Sequence, residues 1–204
     1  MNGENHHGSQ DQLAVAVSEA IKLSLANLRL RTRLHAQATR DPLTELFNRR
    51  YIEDTLPREL HRALRRGAPL CVAMLDLDHF KLCNDTFGHD AGDLVLRESS
   101  RVLRENLRQS DIACRYGGEE FLLVLPDASL EDTSRRLEHI RLLFERMEIV
   151  HRGQLLTTIT FSAGVAVAPE HGSNPEDLLH AADDALYAAK QAGRNQVHAY
   201  RVRD

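Results

Sequence analysis

Residues 113–125, ACRYGGEEFLLVL, hold two apolar runs around a double glycine. ACRY (Ala113–Tyr116) and FLLVL (Phe121–Leu125) suit strands, and Gly117-Gly118 supplies the turn, so the stretch predicts a β-hairpin. Outward from it, PLCVAMLDLD (Pro69–Asp78) is a compact apolar run ending in acids, the pattern of a buried strand emerging towards solvent. TTITFSAGVAVA (Thr157–Ala168) is rich in β-branched residues and predicts a long strand, and QVHAY (Gln196–Tyr200) a short final one. Helices are expected from about Asn48 to Arg66, closed by Gly67, from about Gly92 to Asn106, and from about Leu130 to Met147. A last helix starts at an Asn174 N-cap, with Pro175 first and Glu176 and Asp177 in the opening turn, and ends with Gly193 as the C′ residue. The order βαββαβ predicts an α+β fold with helices on one face of the sheet.

Upstream, about Asp11 to Thr39 contains no Gly or Pro. Val17, Ile21, Leu25 and Leu28 form one apolar helical stripe, and Leu23, Leu30 and Leu34 a second. This is either a helix packed on its own domain or an arm that pairs with a second copy, with Ser24, Asn27 and Arg31 interrupting any strict heptad. Asp41-Pro42 ends it, because the residue before proline disfavours the helical region. The expected organisation is a disordered or vector-derived tail over 1–10, a helical signalling and dimerisation arm over 11–40, and a globular domain over 41–204. With 204 residues, 42% of them hydrophobic, the chain can bury one core besides such an extension. Lys and Arg total 26 against 30 Asp and Glu, a net charge of −4, which argues against a nucleic-acid partner. The 3 cysteines, Cys71, Cys83 and Cys114, form no C-x-x-C pair and suit reduced thiols. No apolar stretch approaches the ~20 residues of a membrane span, and MNGENHHGSQ lacks a signal-peptide pattern. A cytoplasmic location with no membrane contact for this stretch is the expectation.

Acids at the end of a buried strand are costly unless something uses them. Asp76 and Asp78 flank Leu77, and are expected to point to opposite faces so that only one serves a given site; Glu119 and Glu120 are expected to diverge likewise. If the hairpin lies beside the Asp76 strand, one acid from each place can meet over a shared cation. Such carboxylates suit Mg²⁺, a hard ion that keeps waters and substrate phosphates. Singly, each acid is also explained as a solvated turn residue. Gly117-Gly118 has two readings as well, turn geometry or room for a ligand to approach the main chain.

RYGGEEF (Arg115–Phe121) resembles the signature of the GGDEF family of diguanylate cyclases, in its Glu-containing variant. DPLTELFNRR (Asp41–Arg50), DLDHFKLCND (Asp76–Asp85), GHDAGD (Gly88–Asp93) and ALYAAKQAGRN (Ala185–Asn195) resemble further family motifs in the same order, with Glu45 where Gly is more usual. The resemblance implies a ferredoxin-like, palm-type βαββαβ sheet, antiparallel-rich with flanking helices, and a 41–204 catalytic domain. It implies condensation of two GTP into cyclic di-GMP with release of two pyrophosphates, by two subunits meeting face to face as a homodimer. Asp76, Glu119 and Glu120 would be the catalytic acids. Asp76 and Glu119, with the Leu77 carbonyl, would bind Mg²⁺, for which Mn²⁺ can substitute. Lys81, Lys190 and Arg194 match phosphate-holding positions; Lys190 and Arg194 also fit as ordinary cations at a helix C-terminus. Gly117 and Gly118 would lie against GTP. Asn84 and Asp93 match the guanine-recognising pair, a carboxylate accepting from the N1–H and exocyclic amine that adenine does not present. Phe80, Phe87 and Phe121 read as core. Arg108 and Asp111 match the family's R-x-x-D inhibitory site, where cyclic di-GMP would bind as feedback inhibitor; the bland reading is a helix-end ion pair. Arg135, Arg136 or Arg141 would complete that site from a neighbouring subunit.

Two other classes compete with the cyclase. A non-catalytic receptor for GTP or cyclic di-GMP would usually have lost signature acids or cations, yet Asp76, Glu119, Glu120, Lys81 and Lys190 all remain. A palm-like nucleotidyl transferase acting on nucleic acid is disfavoured by the acidic balance.

Overall fold

The computed structural model describes residues 18–19, 21–26, 38–156 and 158–201. The chain divides after Thr39 into two units. In the first, residues 18–19 and 21–26 are helical, and Ile21, Leu23 and Leu25 are exposed. Val17, Leu28, Leu30 and Leu34, the rest of the expected stripes, lie outside the described residues, as do Asn27, Arg31 and the 1–10 tail.

The second unit is built on a six-stranded sheet. Its elements are β1 (Phe47–Asn48), α1 (Arg49–Arg66), β2 (Leu70–Leu77), α2 (Phe80–Phe87), α3 (His89–Asn106), β3 (Ile112–Arg115), β4 (Glu120–Pro126), α4 (Leu130–Glu145), β5 (Val150–His151), β6 (Gln154–Leu155), β7 (Phe161–Ala168), α5 (Pro175–Gln191) and β8 (Val197–Ala199). The strand order is β1-β3-β4-β2-β7-β8. Within it, β3, β4, β2 and β7 pair antiparallel, while β1 joins β3 and β8 joins β7 in parallel. The segment from β2 to β7 is the expected βαββαβ unit of the ferredoxin-like, palm-type fold.

The helices are not confined to one face. Cys71, Ala73, Leu75 and Leu77 of β2 join a core with α2, α3 and α4, whereas Leu70, Val72 and Met74 join another with α1 and α5. Period-two alternation sends successive side chains to opposite faces. A strand apolar at successive positions is therefore one covered on both sides, and the uninterrupted run Leu70–Leu75 of β2 records that.

Local chemistry sets several boundaries. The Asn48 side chain caps α1 by accepting from Tyr51 N at 3.0 Å, and Gly67 closes it at φ 65°. Asn174 caps α5 in the same way through Asp177 N at 2.9 Å, and Gly193 follows as expected. α2 was not anticipated: it follows a left-handed His79 (φ 58°) with no side-chain cap, so it lacks a start signal. The last long strand begins at Phe161, later than expected, with Thr157 outside the described residues.

One glycine fixes how α5 sits. A Cβ at Gly164 of β7 would lie 2.1 Å from both Ala182 O and Leu186 N. The backbone of α5 thus rests directly on β7, its small Ala181, Ala182, Ala185 and Ala189 buried along that face. This contact places the C-terminal end of α5, and Lys190 with it, beside the end of β2.

Candidate active site

Asp76 stands at the C-terminal end of β2, opposite Glu120 of β4 and Ser162 of β7. Lys190 Nζ, from the last turn of α5, lies 3.0 Å from Asp76 Oδ2. Burial pushes the Asp76 carboxyl above the usual range; Lys190 and then Arg194 oppose this, while Asp78 adds to it. Glu119 is raised as well, first by burial and then by the charge of Asp76, with Lys190 opposing and Glu120 adding. The two carboxyls therefore sense each other across one lysine. Their strands are tied here by Leu77 N donating to Glu119 O at 3.2 Å.

Asp78 does not diverge from Asp76. Residues i and i+2 of an extended chain share a face, and the opposite-face expectation ignored this. Asp78 is buried, accepting from Ser162 Oγ (2.7 Å), Thr160 Oγ1 (2.8 Å) and Asn195 N (3.0 Å). Ser162 alternates in step with Ala166, which packs on the α5 face, so Asp78 braces the same side that Asp76 serves. Nor do the signature acids split cleanly. Glu120 is the one in register with Asp76, yet Glu119 is electrostatically coupled to it.

The hairpin turn is held by groups the sequence reading left without a role. Arg115 donates to Gly118 O through Nε (3.2 Å) and Nη2 (2.8 Å), and through Nη1 to Asp41 Oδ2 (3.2 Å). Asp41 also accepts from Thr44 N (2.9 Å) and Thr44 Oγ1 (2.7 Å). Burial would raise the Asp41 carboxyl, but the Thr44 hydrogen bonds and Arg115 outweigh it and hold it below its ordinary value. A Cβ at Gly117 would lie 2.2 Å from Glu120 Oε2, so a side chain there would displace the Glu120 carboxylate.

Asn84 of α2 packs against Gly92, the chain neighbour of Asp93 on α3. A Cβ on Gly92 would fall 1.9 Å from Asn84 Oδ1, so the carboxamide occupies the space that a side chain at residue 92 would take. Asp93 is half exposed, with Arg97 4.0 Å away. Lys81 is exposed on α2. Among the described residues, no hydrogen bond or ion pair joins Lys81, Asn84 or Asp93 to Asp76. Phe80 and Phe121 are core residues and Phe87 packs against the same core.

Arg108 and Asp111 form a closed turn after α3. Asp111 N donates to Arg108 O (3.0 Å), and Asp111 Oδ2 accepts from Arg108 N (2.8 Å) and from Arg136 Nη1 of α4 (2.6 Å). The Asp111 side chain is 1% exposed. Arg136 is thus engaged within its own chain. Arg135 pairs with Glu131, and Arg141 with Glu138 and Glu145.

The residues present fit a divalent cation of the Mg²⁺ type. Among the described residues no group of three or more His, Cys, Asp or Glu side chains could hold a metal. Mg²⁺ does not ask for one, since it is commonly bound by one or two carboxylates plus substrate phosphates. Asp76 and Glu119 are two hard oxygen donors whose mutual repulsion a cation would relieve. No described helix is long and apolar enough to cross a membrane.

The family model described as "Diguanylate cyclase, GGDEF domain" matches residues 38–196. The chain is 44% identical over 161 residues to the response regulator PleD of Caulobacter vibrioides, an alignment covering 78% of this chain and 36% of PleD. It is 41% identical over 162 residues to the diguanylate cyclase DosC of Escherichia coli, covering 79% and 35%. It thus spans about a third of the length of these relatives. Among solved structures, the coiled coil and GGDEF domain of DgcB from Caulobacter crescentus in complex with c-di-GMP aligns with TM-score 0.79 at 34% identity, covering 93% of this chain and 98% of that one. With five ordered motifs set on the expected sheet and a family match across nearly the whole second unit, the chain belongs to the GGDEF-domain diguanylate cyclase family.

Proposed function

We propose that this chain condenses two GTP into cyclic di-GMP and releases two pyrophosphates, as a Mg²⁺-dependent homodimer with one GTP per subunit. The observation that carries the reading is Asp76 at the end of β2 with Lys190 Nζ 3.0 Å away, and Glu119 tied to the same strand end by Leu77 N donating to its carbonyl at 3.2 Å, beside a glycine turn open to a ligand. In the reaction the 3′-hydroxyl of one GTP attacks the α-phosphate of the other and pyrophosphate leaves. Such transfers need positioning and charge neutralisation more than covalent help from the protein. Bound to Asp76, Glu119 and the Leu77 carbonyl, Mg²⁺ would neutralise phosphate charge and lower the pKa of the attacking hydroxyl, with Mn²⁺ able to replace it.

The chain's own groups do the rest. Lys81, Lys190 and Arg194 hold the phosphates, and Glu120 adds a carboxylate across from Asp76. Gly118, where a Cβ would meet nothing within 4 Å, leaves the turn open to the nucleotide. Asn84 and Asp93 read the guanine edge. Arg108 and Asp111 take cyclic di-GMP as feedback inhibitor once Arg136 releases Asp111. The organisation is a dimerising arm over 11–40 and a catalytic domain over 41–204; the DgcB structure, which includes a coiled coil, aligns over most of the chain and supports this.

The test is incubation of the purified chain with GTP and Mg²⁺, following cyclic di-GMP and pyrophosphate. Product in a 1:2 ratio is expected. GTP binding without product at high protein concentration would replace the cyclase reading with that of a receptor.

A further inference from the structure

The loop after α5 turns through three consecutive residues of positive φ: Gly193 (117°), Arg194 (63°) and Asn195 (47°). Glycine is at ease there and asparagine tolerates it, but arginine does not favour it. Such a conformation persists where the surroundings over-determine it, and functional sites are where this is found.

What holds the turn is Asn195. Its backbone N–H donates to Asp78 Oδ2 at 3.0 Å. Its side chain donates through Nδ2 to Glu145 Oε1 at 2.5 Å and accepts at Oδ1 from Arg141 Nη1 at 3.0 Å. The three partners are themselves fixed: Arg141 Nη2 and Nη1 lie 2.6 and 2.8 Å from Glu138 and Glu145, and Asp78 is braced by Thr160 and Ser162. The clamp therefore reaches Asn195 from two sides, the end of β2 and the last turns of α4. Arg194 contrasts with it. Its backbone N donates to Ala189 O at 3.1 Å, its residue is exposed, and its charge bears on Asp76. The backbone is locked while the guanidinium is presented beside the acid centre.

We propose that Asn195, clamped by Arg141, Glu145 and Asp78, is a positioning residue that sets Arg194 for the triphosphate of GTP. The proposal rests on reading Lys190 and Arg194 as phosphate-holding groups. A loop closure of purely structural purpose would be served by the backbone bond to Asp78. The side-chain bonds to α4 add orientation at the residue adjoining a cation whose head makes no hydrogen bond or ion pair among the described residues.

The test is a double-mutant cycle read by calorimetric binding of 3′-deoxy-GTP with Mg²⁺, a nucleotide lacking the attacking hydroxyl. Asn195→Gly accepts the positive φ and keeps the N–H to Asp78, so it removes the side-chain clamp alone, and a thermal melt verifies that the variant folds. Arg194→Ala should raise Kd about tenfold in the wild-type background, the scale of a charge-assisted hydrogen bond. In the Asn195→Gly background it should raise Kd only about threefold or less, because the two residues act as a unit. Glu145→Gln, which still accepts from Asn195, should stay within about twofold of wild type, while Glu145→Ala moves towards the Asn195→Gly value. An Arg194→Ala effect of equal size in both backgrounds overturns the proposal. Wild-type chain that binds the analogue yet makes no cyclic di-GMP from GTP defeats the cyclase reading and leaves the cycle to decide the clamp. No binding by the wild type defeats both.

Discussion

Gly164→Ala tests whether the fold and the acid centre are linked as described. The new Cβ would lie 2.1 Å from Ala182 O and Leu186 N, both backbone atoms of α5, whereas ordinary contact begins at 3.4 Å. The helix therefore has to retreat by about 1 Å, since no flexible side chain is available to yield. Overpacking of this kind costs roughly 1–3 kcal/mol, and the backbone nature of both clashes argues for the upper end. At that size Tm falls by roughly 6–10 °C for a domain of this length. The displaced helix carries Lys190, whose Nζ is 3.0 Å from Asp76, and a misplacement of about 1 Å can lower turnover by about 100-fold. Gly118→Ala is the control, because a Cβ there meets nothing within 4 Å. It should leave Tm within about 2 °C while weakening GTP binding, if the turn lies against the nucleotide. Thermal melts with cyclase assays on both variants decide the matter. Gly164→Ala with wild-type Tm and turnover would refute the argument that this glycine seats α5.

Four further outcomes are expected. Glu119→Ala should lower cyclic di-GMP formation by about 100-fold or more, the scale of losing a positioned electrostatic group, with little change in Tm because Asp76 loses a like-charged neighbour. Glu45 holds φ 61° and pairs with Arg104 only between exposed side chains, so Glu45→Gly should be neutral or stabilising by up to about 1 kcal/mol in urea denaturation. His171 is buried, accepts from Val167 N at 3.1 Å, and is held below its ordinary pKa first by burial, with Glu170 opposing. Because the unfolded chain binds this proton more readily, the contribution is complete above about pH 6.5 and is lost as pH falls towards the depressed folded value, a slope that denaturation between pH 7 and pH 5 should show and His171→Gln should flatten. Arg108→Ala should relieve inhibition by added cyclic di-GMP without lowering initial turnover; unchanged inhibition would remove Arg108 from the product site.

What the sequence made legible was local. The Gly117-Gly118 hairpin, the apolar β2 run and the Asn174-Pro175 helix start each carry their signal within a few residues, and the structure has all three. The helix α2 has no comparable signal, since uncapped His79 precedes it. The two-sided packing was present in the unbroken apolar run Leu70–Leu75, but the element order alone suggested one face. The divergence expected of Asp76 and Asp78 contradicted the period of the strand itself. Other features were beyond any local reading. Asp78 meets Ser162 84 positions away and Asn195 117 positions away, and Asp111 meets Arg136 across 25. Asp41 and Arg115 are 74 apart, so their shared hold on the hairpin turn is visible only once β3 lies in the sheet. The motifs named residues for the site, but their supporting partners lie on other elements.

The support is organised by two helices with different duties. α5 is seated by backbone contact at Gly164, which leaves its last turn a single place beside Asp76 and puts Lys190 there. α4 reaches the site region through side chains at two levels: Arg136 meets Asp111, and about one and a half to two and a half turns later Arg141 and Glu145 meet Asn195. A contact made by packed backbone yields little before it breaks, whereas charge-assisted side-chain bonds can be exchanged for bonds to a ligand. The centre around Asp76 is therefore held by packed backbone at Lys190 and by a network of side-chain bonds at Asn195, next to Arg194.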